Sequence, residues 1–442
     1  MALRTRPADG PLARRRALGL VAALALTLVA ATGCSDDGSD NAGGSSGEGT
    51  TEEAGTPSAA EDADDADADA AGAPVQDEPP EQFSGPDEDF YVVPDPLPEG
   101  EPGELIRVQE LGEADGQRSV RVMYHSRDAQ DADRAVTGVI TFPTGEAPED
   151  GWPVTSWAHG TTGLAAPCAP SRWLTSAPDF GVEGVLAATD YVGLGPVGEV
   201  HPYLSKPSEG NAVIDIVRAA RVLPDAHAGE QWISIGHSQG GHGSLSAHEL
   251  ADEHAPELEL VGTVSWAPAS DFTRTFGGID DIVARIVGTM GLYGAAAEHP
   301  EIDPDDYVSP EVAAQAEVIT GQCLDQVQEV LVPYAVTAPY WAEDPTATAP
   351  ARDVLAANEV GDVAVDAPLL LVSGTADDRV VIDRVRSLFD RLCMAGQVTE
   401  LVVVEGATHG DIIPKTQDQV TAWMEARLAG DDPVDSCEED GS

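Results

Sequence analysis

Trp232-Ile233-Ser234-Ile235-Gly236-His237-Ser238-Gln239-Gly240-Gly241 is an apolar run that breaks at a glycine-flanked serine and then enters a segment patterned like a helix. A strand-to-helix elbow of this kind holds a serine hydroxyl out at the end of a sheet, which makes Ser238 the candidate nucleophile. A hydroxyl attacks well only when a base takes its proton and donors hold the oxyanion that forms. Gly236 and Gly240 fit a turn too tight for side chains. The backbone N–H of Gln239, in the first turn of the helix, is the expected oxyanion donor. Gly43-Gly44-Ser45-Ser46-Gly47 matches the same pattern but lies in polar sequence, with no strand before it and no helix after it, and is set aside as a chance match.

Working outward, four strand-like runs come first, at 105–111, 119–125, 135–142 and 154–158, and read as an antiparallel start. Strands and helices then alternate: strand 184–188, helix 211–222, strand 232–235, helix 240–253, strand 260–266. Alternation implies a mostly parallel sheet covered by helices on both faces, an α/β fold. After Ala267-Pro268 the rhythm is lost for nearly a hundred residues, which are read as a mainly helical cap. It resumes with a strand at 369–373, a helix at 382–394, a strand at 400–404 and a closing helix at 417–428. The expected domain plan is a first core part at 99–271, a cap at 272–366 and a second core part at 367–442.

Open parallel sheets bind ligands beyond the carboxyl ends of their strands. Two further candidates follow strand ends there: Gly374-Thr375-Ala376-Asp377 after 369–373, and Glu405-Gly406-Ala407-Thr408-His409 after 400–404. Ser238, Asp377 and His409 stand in the chain order of a hydrolase triad. His409 would carry the proton of Ser238, and Asp377 would fix its tautomer and stabilise its cation. Asp378 stays open as the alternative acid. The run 154–158 leads into His159-Gly160-Thr161-Thr162-Gly163, where a second oxyanion donor is expected from 160–162, with Thr161 favoured and His159 read as a structural hydrogen-bonder. Asp190 and Tyr191, in a loop after a strand, are read as substrate-pocket wall rather than as a plain turn. The apolar stretches 282–287 and 330–336 are compatible with an acyl channel or with ordinary core, and no acyl-binding residue is named from them.

Together, His159 to Gly163, Asp190-Tyr191-Val192-Gly193-Leu194-Gly195, Ser208-Glu209-Gly210, Gly236 to Gly241 and Gly374 to Asp377 resemble the secretory lipases, the lipase A-like branch of the α/β-hydrolases. The likeness is closest over 150–245 and returns over 368–412. It implies an α/β-hydrolase fold, a triad of Ser238, Asp377 and His409, a helical cap over an apolar acyl pocket, and hydrolysis of carboxylic esters, including acylglycerols.

The amino terminus suggests where such chemistry takes place. Arg4, Arg6, Arg14, Arg15 and Arg16 precede the apolar run 17–31, which ends in Ala31-Thr32-Gly33-Cys34. This is similar to a bacterial lipoprotein signal, which implies cleavage after residue 33 and a lipid anchor on Cys34. An ordinary secretory signal is the alternative. From Ser35 to Phe90 there are eighteen acids and no Lys or Arg, among small residues, so 34–98 is read as a disordered acidic tether. Lys206 and Lys415 are the only lysines, and a net charge of −55 makes nucleic acid a poor partner. Neither the cysteines nor the histidines have metal-ligand spacing, and no cofactor is expected. An exported chain should oxidise its thiols. Of the three possible connectivities of the remaining four cysteines, Cys168–Cys323 with Cys393–Cys437 is preferred because the second bridge would staple the carboxyl-terminal tail.

The resulting expectation is a membrane-tethered or secreted serine lipase or esterase acting on lipid esters outside the cytoplasm. A peptidase, thioesterase or acyltransferase on the same scaffold, or a non-catalytic surface binding lipoprotein, are the alternatives.

Overall fold

The structure, a computed structural model, describes residues 76, 78–277, 282–337 and 339–439. Cys34, the signal at 1–33 and the tether before residue 76 lie outside the described residues.

Among the described residues ten strands form one sheet: β1 (Glu81–Gln82), β2 (Leu105–Ala114), β3 (Gln117–Arg127), β4 (Asp133–Pro143), β5 (Trp152–Ala158), β6 (Val185–Thr189), β7 (Ala228–His237), β8 (Glu259–Trp266), β9 (Leu369–Gly374) and β10 (Thr399–Val404). Their spatial order is β1-β2-β3-β4-β6-β5-β7-β8-β9-β10. β2, β3 and β4 are antiparallel, and β4 meets β6 antiparallel. From β6 to β10 every pairing is parallel.

One expectation is corrected here. The run 154–158 does not belong to the antiparallel start, because β5 lies between β6 and β7 and is parallel to both. A strand buried on both faces suits the covered, parallel centre of a sheet. Its crossover to β6 contains short 3₁₀ turns, 166–168 and 170–172, where a helix would have announced the parallel connection.

The tether is corrected as well. The segment expected to be extended through residue 98 is packed on the sheet from residue 81: Phe90 and Tyr91 are fully buried, and β1 pairs with β2. Arg107 bonds to Glu81 at 2.6 Å and donates to the carbonyls of Phe90 and Val92 at 2.9 and 3.0 Å. Aromatic side chains and an arginine that caps loose carbonyls give this acidic stretch what the preceding residues lack, namely apolar area to bury.

Six longer helices matter for the site: α1 (Lys206–Val222), α2 (Gln239–His254), α3 (Ile282–Glu298), α4 (Leu324–Ala335), α5 (Ile382–Ala395) and α6 (Ile412–Leu428). α1 starts earlier than its apolar period suggests, with Pro207 in its first turn, so Ser208-Glu209-Gly210 is helical rather than loop. α3 and α4, with shorter helices between residues 272 and 357, form a layer with its own core of Phe276, Met290, Leu292, Val327 and Leu331. Disulfides join Cys168 to Cys323 and Cys393 to Cys437. The first ties this layer to the loop after β5.

Candidate active site

Ser238 sits between β7 and α2 at φ 62°, ψ −115°, a conformation that non-glycine residues rarely adopt. The cost is of the order of 1–3 kcal/mol, and neighbouring contacts over-determine the geometry. The Ser238 N–H donates to the Trp266 carbonyl at 2.9 Å, while its own carbonyl accepts from His242 at 3.1 Å and Ala269 at 3.0 Å. Both glycines of the turn answer to close approach. A Cβ on Gly236 would lie 1.9 Å from the Gly240 carbonyl oxygen, and one on Gly240 would lie 1.9 Å from that of Ala158.

His409, in the loop after β10, presents Nδ1 to Asp377 Oδ2 at 2.8 Å. The other carboxylate oxygen of Asp377 accepts the N–H groups of Arg379 and Val380, each at 2.9 Å. Burial works to raise the Asp377 pKa, but the bond from His409 and these two N–H donors together hold it below the ordinary carboxylate value. Asp378, the alternative acid, is exposed on the cavity wall.

Gly160, Thr161, His237, Ser238 and His409 line one cavity of about 570 Å³. Much of its apolar lining comes from the cap: Ile282, Val283, Ile286 and Val287 of α3, with Leu324 and Val332 beside Gln328 on α4. These six apolar residues were not named from sequence. On α3 they recur one and four residues apart and so share a helix face, a signal that core packing produces equally well. His237 was also missed. Its ring lies 4.5 Å from that of His409, and burial, with the neighbouring His409 adding to it, pushes its pKa down to about 4, so it stays neutral.

Thr161 bonds through Oγ1 to the Tyr203 hydroxyl at 2.7 Å. Gln239 is the first residue of α2, so its N–H has no acceptor within the helix. Thr161 follows the end of β5 and lines the cavity with Ser238, and Gln239 follows Ser238 after β7. His159 is buried, with Nδ1 2.7 Å from the Gly160 carbonyl and its ring centroid 4.4 Å from that of Tyr191, tilted by 37°. Burial pushes its pKa down to about 4.

Asp190 and Tyr191 are corrected, since neither reaches the cavity. Asp190 accepts from Thr137 at 2.6 Å, from the Ser171 N–H at 2.8 Å and from the Ser171 hydroxyl. Burial pushes its pKa up to about 6. Tyr191 is fully buried and donates to the His159 carbonyl at 2.9 Å. Asp190 ties β4 to the crossover after β5, and Tyr191 supports the loop of Thr161 from behind, because the turn after β6 points them into the core.

The secretory lipase family model matches residues 181–436. Lipase A of Moesziomyces aphidis is 24% identical over 264 residues, a match spanning 54% of this chain and 56% of that protein. A Mycobacterium tuberculosis protein described as a probable inactive lipase is 23% identical over 380 residues, covering 78% of this chain and 82% of its own. Among solved structures, Candida antarctica lipase A in its closed state superposes with a TM-score of 0.64 at 18% identity, covering 79% of this chain and 88% of that one. The rice cell wall degrading esterase LipA from Xanthomonas oryzae gives 0.60 at 18% identity, covering 75% and 100%. These likenesses give the α/β-hydrolase fold.

Proposed function

We propose, taking as premise that this chain belongs to the secretory lipase family, that it hydrolyses carboxylic esters of lipid character through an acyl-enzyme on Ser238. The observation that carries the reading is one arrangement: a strained serine elbow and a His409 bonded to Asp377 at 2.8 Å line a single cavity that also carries apolar side chains of the cap.

His409 donates through Nδ1 to Asp377, which leaves Nε2 as the nitrogen that takes the Ser238 proton. Ser238 Oγ attacks the ester carbonyl, and the N–H groups of Gln239 and Thr161 hold the oxyanion. The His409 cation then gives its proton to the leaving alcohol as the C–O bond breaks. Water repeats the sequence on the acyl-enzyme, giving its proton to His409 and its oxygen to the acid product. The alkyl chain of the substrate lies against α3 and α4. No cofactor takes part.

The setting proposed is outside the cytoplasm, with the chain secreted or held at the membrane by a lipid on Cys34. Two disulfides support an oxidising compartment. Because one relative is described as a probable inactive lipase, turnover itself is the test. Ser238→Ala should lower p-nitrophenyl ester kcat by about 10⁴-fold or more with the melting temperature kept; a variant that keeps wild-type turnover contradicts the assignment. A panel of esters by chain length, with a peptide amide and a thioester beside it, separates the esterase from a peptidase, thioesterase or acyltransferase.

A further inference from the structure

Directly beneath Gln239 lies a polar cluster sealed from solvent. Glu209, in the first turn of α1, and Gln239 and His242 of α2 are fully buried, as is His201. Glu209 Oε1 accepts the Leu204 N–H at 2.9 Å and Gln239 Nε2 at 2.8 Å; Oε2 accepts His242 Nδ1 at 3.0 Å. His242 Nε2 faces the Asn358 carbonyl at 2.9 Å. With an acceptor at each ring nitrogen, His242 is an imidazolium and Glu209 its counter-ion. The Gln239 amide also donates to His201 Nε2 at 2.7 Å, and His201 Nδ1 donates to the Val192 carbonyl at 2.7 Å.

The same segment reaches the other oxyanion residue. Tyr203 bonds to Thr161 at 2.7 Å, Tyr203 N–H donates to the His201 carbonyl at 2.8 Å, and the adjacent Leu204 is bonded to Glu209. Chemistry at Ser238 uses none of these side chains. A buried ion pair is seldom a cheap route to stability, since an apolar pair of similar volume often serves as well. A fully satisfied network does, however, fix directions more sharply than apolar packing.

We propose that Glu209, held by His242, is a positioning residue: through Gln239 on one side and the 201–204 segment with Tyr203 on the other, it sets the spacing of the two donors that receive the oxyanion. This rests on the reading of Ser238 as nucleophile. Burial works to raise the Glu209 pKa, but the bond from His242 and the neighbouring His201 ring outweigh it and leave the group below the ordinary carboxylate value; for His242 burial works downward, yet Glu209 leaves its pKa raised. Both shifts favour the charged pair.

The test compares Glu209→Gln with the charge-free double variant Glu209→Gln/His242→Gln in the full chain, measuring melting temperature, kcat and KM on a p-nitrophenyl ester, and affinity for a trifluoromethyl ketone that forms a tetrahedral adduct. Glu209→Gln should lower kcat about 10–100-fold, a share of what a whole oxyanion donor supplies, with KM changed less than about twofold and ketone affinity falling in parallel. The double variant should regain melting temperature without regaining kcat. Tyr203→Phe should show the same split at about 3–10-fold, and carries the test if Glu209→Gln does not fold. Wild-type kcat in folded Glu209→Gln, or kcat returning with melting temperature in the double variant, overturns the proposal. If wild-type protein is not labelled by a fluorophosphonate at Ser238, the nucleophile assignment falls and this inference with it, whatever the Glu209 variants do.

Discussion

Two carboxylate–imidazole pairs serve the same elbow, and they differ in what surrounds them. His409 lines the cavity beside Ser238 and spends one ring nitrogen on the Asp377 carboxylate, leaving the other without that partner. Glu209–His242 is sealed, and both ring nitrogens are spent on acceptors. A proton carrier needs a free nitrogen and an outlet, whereas a brace needs neither. A carboxylate bonded to an imidazole at similar distances, 2.8 and 3.0 Å, is thus read as a base in one place and a support in the other from burial and bonding.

The comparison breaks most sharply at the two histidines. His409→Ala should lower kcat by about 10⁴-fold or more with little change in melting temperature, while His242→Gln should cost about 10–100-fold and lower the melting temperature measurably. Equal losses of kcat from both would erase the distinction drawn here. Asp377→Asn comes next, at about 10³–10⁴-fold in kcat, because an amide in place of the carboxylate no longer enforces the Nδ1–H tautomer of His409; steady-state kinetics at fixed pH read it directly.

The brace extends to the cap. Gly163 and Cys323 form a β-bridge, and the Leu324 N–H donates to the Thr162 carbonyl at 2.8 Å, so the Cys168–Cys323 disulfide anchors α4 to the loop after β5 that carries Thr161. Replacing both cysteines by serine should destabilise the fold by about 2–4 kcal/mol, as read by denaturant titration. Activity should fall more than it does for the Cys393→Ser/Cys437→Ser variant, whose bridge is remote from the cavity.

The smallest effect concerns His159. Its folded pKa, pushed down to about 4 by burial, lies below the unfolded value of about 6.5, so the unfolded chain takes up a proton first as pH falls. Stability from this group is full above pH 6.5 and is lost on acidification toward pH 4, by about 2 kcal/mol at pH 5. Asp190, raised by burial to about 6, runs the other way, its contribution being lost as pH rises from about 3.9 to 6. Melting His159→Gln beside wild type at pH 7 and pH 5 isolates the first: the gap between them should narrow at pH 5, and a constant gap would contradict the buried neutral ring.

Much of this was written in local sequence. The elbow shows itself because a tight strand-to-helix turn needs glycine where backbones meet, and the ends of β9 and β10 show themselves because short β-branched and leucine runs stop at turn-forming residues. What stayed hidden depends on where a strand inserts or which way a side chain turns. β5 joins the parallel half without a crossover helix to reveal it. Asp190 and Tyr191 follow a strand end as the catalytic candidates do, yet they turn inward to Thr137, Ser171 and His159. Glu209 and His242 lie 33 residues apart on separate helices, and only their packing makes them a pair. Aromatic residues 83, 90 and 91 were present in the acidic stretch, and weighing them against the charge would have ended the tether sooner.

The most direct measurement is to quench the reaction with a p-nitrophenyl ester in acid within the first turnovers and find the acyl group by peptide mass spectrometry. One acyl group per chain on the peptide containing Ser238, absent in Ser238→Ala, is the predicted result. Turnover that proceeds with no acyl group on that peptide, or with the group on another residue, would contradict the account.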